Sequence, residues 1–125
     1  MKVGILTFYY ADNYGAMLQA YALHRYIQNN GAEAYFVPYI PANEQRAYSI
    51  DPLKGYGAKD KLRRVMQLGA RMGNYRAFKA FRESCIPVGN GNDNPDVIVV
   101  GSDQVWNEKI VDDIAPYMLD WVPET

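Results

Sequence analysis

Two short segments hold most of the residues that can do chemistry. They are Tyr9-Tyr10-Ala11-Asp12-Asn13-Tyr14-Gly15-Ala16 and Gly101-Ser102-Asp103-Gln104-Val105-Trp106-Asn107. In the second, Ser, Asp, Gln and Asn supply donors and acceptors, and Trp106 supplies a flat apolar face. That mix suits a sugar, whose hydroxyls want polar partners and whose C–H face stacks on an aromatic ring. The competing reading is a turn in which Asp103 caps a short helix and Trp106 anchors the core. In the first segment, Asp12 or Asn13 can cap a following helix, whose free N–H groups and dipole favour an anion. Gly15 lets a ligand approach the backbone closely. The same residues also read as an ordinary cap with tight packing. Neither the dinucleotide G-x-G-x-x-G nor the P-loop G-K-[ST] is present, and no metal site is expected.

These segments need elements to position them. Lys2 to Phe8 reads as a buried strand, Tyr9 to Asn13 as a turn and Tyr14 to Asn29 as a helix. Ala16, Ala20, Leu23 and Ile27 form one apolar stripe on that helix, and Gly31 suits its left-handed stop. Ala34 to Tyr39 reads as a second strand, so the first three elements make a parallel βαβ unit. Pro41 to Lys59 is a long aperiodic stretch. Asp60 to Arg82 reads as helical, with Gly69 or Gly73 as a candidate break into two helices and an aromatic stripe at Tyr75, Phe78 and Phe81. Pro87 to Pro95 is turn-rich, Asp96 to Val100 is a third strand, and Tyr117 to Trp121 reads as another short strand. The expected fold is α/β, a three-layer Rossmann-like parallel sheet. Both chemistry-bearing segments then follow the carboxyl ends of parallel strands, where open α/β sheets bind ligands in a shared crevice.

The 125 residues, 49% of them hydrophobic, suffice for a single domain over 1–125 and not for two. A net charge of -1 argues against a nucleic-acid partner. One cysteine, Cys85, allows no intramolecular disulfide and points to a reducing cytosol; it reads as a small core residue. The one histidine, His24, reads as structural. The segment Lys54 to Arg82 holds nine of the 13 Lys and Arg residues, opposed only by Asp60. It reads first as a core-packed helix with a solvated basic face. The alternative is peripheral contact with the inner face of an anionic membrane.

The opening Lys2-Val3-Gly4-Ile5-Leu6-Thr7-Phe8, then Ala11 to Leu23 with its Asp-Asn-Tyr-Gly-Ala block, resembles the start of polysaccharide pyruvyl transferase-type proteins. So do Gly101 to Asn107, Tyr117-Met118-Leu119-Asp120, and the pair Phe78 and Phe81. The resemblance spans nearly the whole chain, in order. It implies the N-terminal half of a two-domain, GT-B-like transferase. The implied activity moves pyruvate from phosphoenolpyruvate onto two hydroxyls of a sugar or lipid-linked saccharide, in bacterial exopolysaccharide or cell-wall polymer synthesis. Phosphoenolpyruvate is the donor, and no cofactor is implied. Asp12 is the implied base, with Asp103 second. Asn13, Tyr14, Gly15, Gln19, Gly101, Ser102, Gln104, Trp106 and Asn107 are the implied substrate contacts. Cations for phosphoenolpyruvate are not evident in the two motifs, and the resemblance implies that they lie in a C-terminal half. That half, or a second copy of the chain, is the implied protein partner. A GT-B-type glycosyltransferase fragment and a non-catalytic binding module stand as alternatives.

Overall fold

The structure, a computed structural model, describes residues 1–41, 73–102, 104–111 and 113–122. The long stretch after Pro41, the first part of the expected helix at 60–82, most of the basic segment, and Asp103 lie outside the described residues.

The fold is α/β: a three-stranded parallel sheet with two helices. Strand β1 is Lys2–Leu6, helix α1 is Tyr14–Asn29, strand β2 is Glu33–Phe36, and strand β3 is Val97–Val100. A second helix, α2, covers residues 73–85. The sheet order is β2-β1-β3. Val3 pairs with Ala34 and Val97, and Ile5 with Phe36 and Val99. Strand alternation therefore puts Val3, Ile5, Ala34 and Phe36 on one face. α1 lies on that face, where His24 donates from Nε2 to the Ala34 carbonyl at 3.1 Å and its ring meets Phe36. α2 packs beside α1 through Tyr14 against Phe78 and Tyr21 against Phe81. Ile5 and Phe36 are completely buried, each worth about 1.5–3 kcal/mol.

Asn13 caps α1: its side chain accepts from Gly15 N at 2.8 Å and from Ala16 N at 3.3 Å. Gly31, with φ +83°, makes the left-handed exit that a side chain would resist. The helix buries Ala16, Met17, Ala20 and His24. Leu23 and Ile27 of the expected stripe are only half-buried.

After α2 the chain forms a stub beside β2. Phe36 N donates to Pro87 O at 2.8 Å, and Gly89 N donates to Phe36 O at 2.9 Å. The chain then returns across the face opposite α1. A Cβ on Gly4 would lie 3.2 Å from Pro95 and from Val37, so the central strand carries glycine where Pro95 passes close. Among the described residues this second face carries irregular chain and a 3-10 turn but no α-helix. The return path holds Pro95 and the positive-φ Gly91, neither of which suits a helix interior. The expected third layer is therefore not seen among the described residues.

The expected tail strand is a single 3-10 turn, Ala115–Met118. Pro116 has no N–H to give a ladder, and Leu119 closes the turn in the left-handed region at φ 61°. Its Tyr117 is buried and meets Phe8 and Tyr39 edge-on, with ring centroids 5.8 and 5.5 Å apart. No helix among the described residues is long and apolar enough to cross a membrane.

Candidate functional site

β1 and β3 run parallel and side by side, so the loops after them leave neighbouring strand ends. β2 lies on the other side of β1, so successive connections leave β1 in opposite directions. Open α/β sheets form their crevice at such a place. The contact between the two motifs is made by Thr7, Gln19 and Gly101. Gly101 N donates to Leu6 O at 2.9 Å. A Cβ on Gly101 would lie 2.5 Å from Thr7 Oγ1 and 2.6 Å from Thr7 Cβ. Thr7 Oγ1 in turn donates to Gln19 Oε1 at 3.4 Å. Only a residue without a side chain fits there, which gives Gly101 a physical reason independent of substrate.

The first loop is largely built in. Phe8, Tyr9 and Tyr10 are buried and form an edge-on aromatic group. Tyr9 also packs on Phe36, and burial raises its phenol above the usual value. The turn expected from Tyr9 onward therefore starts with core residues. Asp12 Oδ1 accepts from Arg82 Nη1 at 2.6 Å, and the same nitrogen donates to Tyr10 O at 3.0 Å. Both side chains of this ion pair are mostly covered. Asn13 is committed to the cap, so the amides of Gly15 and Ala16 already have an acceptor. Tyr14 is exposed, and its ring centroid lies 4.7 Å from that of Phe78.

The second loop is open. Ser102, Gln104 and Trp106 are exposed, Asn107 is half-buried and Val105 anchors the turn in the core. Trp106 is 55% exposed, and its Nε1 reaches Tyr117 O at 3.4 Å. Asn107 Nδ2 donates to Gln104 Oε1 at 3.3 Å. Gln104, Trp106 and Asn107, with Glu108 and Lys109, surround a shallow depression of about 530 Å³. Trp106 is thus not the core anchor of the competing reading; Val105 fills that role. The expected sugar contacts Gln104, Trp106 and Asn107 come together. Gly101 and Gln19 instead face Thr7, and Asp12 faces α2.

Arg82 is the residue that local reading of the two motifs misses. It lies 70 positions from Asp12. The available signal was spacing: Phe78 and Arg82 are four apart on α2, hence on one face, and both meet the start of α1. A cation therefore does stand at the first motif.

His24 is buried, and Nδ1 has no hydrogen-bond partner among the described residues. Burial lowers its pKa below the usual imidazole value; the Ala34 bond opposes this and Arg25 adds to it. Cys85 is half-exposed and free, not a core residue, because the next residue, Ile86, takes the buried position. Cys85 and His24 line one groove of about 350 Å³ between α1 and the end of α2. Among the described residues, no group of three or more His, Cys, Asp or Glu side chains is placed to hold a metal.

No protein-family model matches the chain, and neither a curated protein nor a solved structure matches it.

Proposed function

We propose that the chain supplies the saccharide-facing Rossmann-like part of a polysaccharide pyruvyl transferase-type enzyme with a GT-B-like layout. The observation that carries this reading is the pairing of β1 with β3. It sets the two motifs at adjacent parallel strand ends and leaves the exposed Gln104 and Trp106 and the half-buried Asn107 around one depression. The sugar stacks on Trp106, and Gln104, Asn107 and Ser102 take its hydroxyls. Phosphoenolpyruvate, the donor, lies toward the first motif. There the Arg82 N–H groups beyond Nη1 face its phosphate or carboxylate, and Gly15 and Tyr14 flank it.

In the reaction, two sugar oxygens bond to the central carbon of phosphoenolpyruvate. The methylene takes up one proton to become a methyl group, and phosphate leaves with the other. Asp12 is the residue assigned to accept a hydroxyl proton, and Asp103 is the second acid–base group. The setting is the cytoplasm, at the inner membrane face where lipid-linked saccharides are built, with the basic segment 54–82 as the contact.

A binding module without chemistry is the second reading. One observation favours it: Asp12 is already ion-paired, and the first amides of α1 are already capped.

The test measures phosphate release together with a new ketal methyl signal in proton NMR. It uses a saccharide acceptor and phosphoenolpyruvate, with the chain alone and with the longer enzyme the reading requires. The expected result is activity in the longer enzyme, lost in Asp12→Asn and Trp106→Ala. An unchanged rate in Asp12→Asn removes the base assignment. Saccharide binding with no ketal in either form leaves the binding-module reading.

A further inference from the structure

On the sheet face opposite α1 there is a cleft of about 540 Å³. Leu6 and Ile98 form its floor, Tyr35, Tyr39 and Trp121 its walls, and Asp93 part of its rim. No lysine or arginine is among its described lining residues. The two wall tyrosines also sit in a field of carboxylates. Burial, then Asp93, Glu33 and Asp96, raise the Tyr35 phenol above its usual value. Burial, then Asp113 and Asp120, do the same to Tyr39. Among the described residues the cleft is thus apolar within and bordered by carboxylates. The Tyr35 hydroxyl is buried with no hydrogen-bond partner among the described residues. Trp121 is half-exposed, with its indole N–H held by Pro116 O at 3.0 Å, so the ring is fixed while part of it stays open.

We infer that this cleft is a binding site for a small organic ammonium ion with an apolar body. Aromatic faces attract a weakly hydrated cation through their quadrupoles, and the surrounding carboxylates add the matching charge. A free anion is disfavoured by the same carboxylates. A neutral apolar ligand gains the burial but forgoes the electrostatic part. The site is separate from the loops after β1 and β3, and the inference stands whether or not the proposed transferase reading does.

The probe is choline, compared with 3,3-dimethyl-1-butanol, in which carbon replaces the charged nitrogen. Binding to the whole chain is followed by two-dimensional NMR, on the Trp121 indole N–H and the amides of Tyr35, Val37 and Asn94. Choline is expected to shift these signals saturably and to bind about fivefold or more tightly than the neutral analogue. Asp93→Asn, which keeps an oxygen for the Asn90 N–H, is expected to weaken choline severalfold and leave the neutral compound unchanged. Glu33→Gln, at an exposed position, is expected to act in the same direction more weakly. Trp121→Leu is expected to lose choline binding while the rest of the spectrum stays dispersed. Equal affinity for the two compounds overturns the inference and leaves a plain apolar groove. Absence of saturable shifts with choline, or choline affinity unchanged in both Asp93→Asn and Trp121→Leu, overturns it as well.

Discussion

The loops after β1 and β3 leave adjacent strand ends and touch at Thr7 and Gly101, yet they are built in opposite ways. Phe8, Tyr9 and Tyr10 of the first are buried, and its polar residues are used internally: Asp12 by Arg82, Asn13 by the amides of α1. The second buries Val105 and leaves Ser102, Gln104 and Trp106 in solvent. A polar residue covered and bonded inside the fold fixes geometry; one whose side chain stays exposed to solvent can meet a ligand. In the proposed site the first loop is the frame and the second is the surface.

Removing the hub that joins the frame to the tail has the largest expected effect. Tyr117 is almost fully buried between Phe8 and Tyr39. Tyr117→Ala is expected to cost about 3–5 kcal/mol by urea unfolding. A loss below about 1 kcal/mol would mean that the tail is not part of the core.

Next is the contact between the loops. Gly101→Ala drives a Cβ into Thr7, so overpacking is expected to cost about 1–3 kcal/mol. Ser102→Ala, one residue on and exposed, is expected to stay within about 0.5 kcal/mol of the parent. Equal stability of the two variants would sink the idea that Gly101 is there for close approach.

Asn13→Ala is expected to cost about 1 kcal/mol through loss of the cap, and Asn13→Asp to keep most of it. If Asn13→Ala changes ligand binding with no stability change, the residue belongs to the surface and not the frame.

pH sharpens the comparison from beneath the frame. Burial lowers the His24 pKa, so the unfolded chain takes up a proton before the folded one does. His24 then costs no stability above the ordinary imidazole value of 6.5, and stability falls as pH drops from there through the lower folded value. The slope between these points is expected to shrink in His24→Gln. An undiminished slope assigns the titration to another group.

A stability effect as small as that of Ser102→Ala, within about 0.5 kcal/mol, is expected for Trp106→Ala. That variant is nonetheless expected to lose saccharide binding.

The βαβ unit was legible because it is local. The apolar run of β1, the periodicity of α1, the Asn13 cap and Gly31 each lie within one element and report on it directly. What stayed hidden depends on pairs far apart in sequence. Nothing near Asp12 announces Arg82, and nothing in Tyr9-Tyr10 distinguishes a ligand-facing pair from one packed on Phe36 and Phe8. Composition misled at Cys85, a residue type often buried, because the helix end turned Ile86 inward in its place. The tail failed for a backbone reason: apolar content suggested a strand, and Pro116 with left-handed Leu119 made a 3-10 turn. That Gln104, Trp106 and Asn107 lie together after β3 was legible from their strand-end position. The commitment of Asp12 to Arg82 was not.

The central claim is that the second loop receives a saccharide while the first holds the frame. It is tested most directly by two-dimensional NMR on the intact chain, titrated with neutral glycosides and then with phosphoenolpyruvate. The account predicts saturable shifts at Gln104, Asn107 and the Trp106 indole N–H with a glycoside. It predicts little change at Asn13 and Gly15, and no saccharide response in Trp106→Ala. Glycoside shifts confined to the first loop, or a dispersed spectrum in which Trp106 ignores every glycoside, would contradict it.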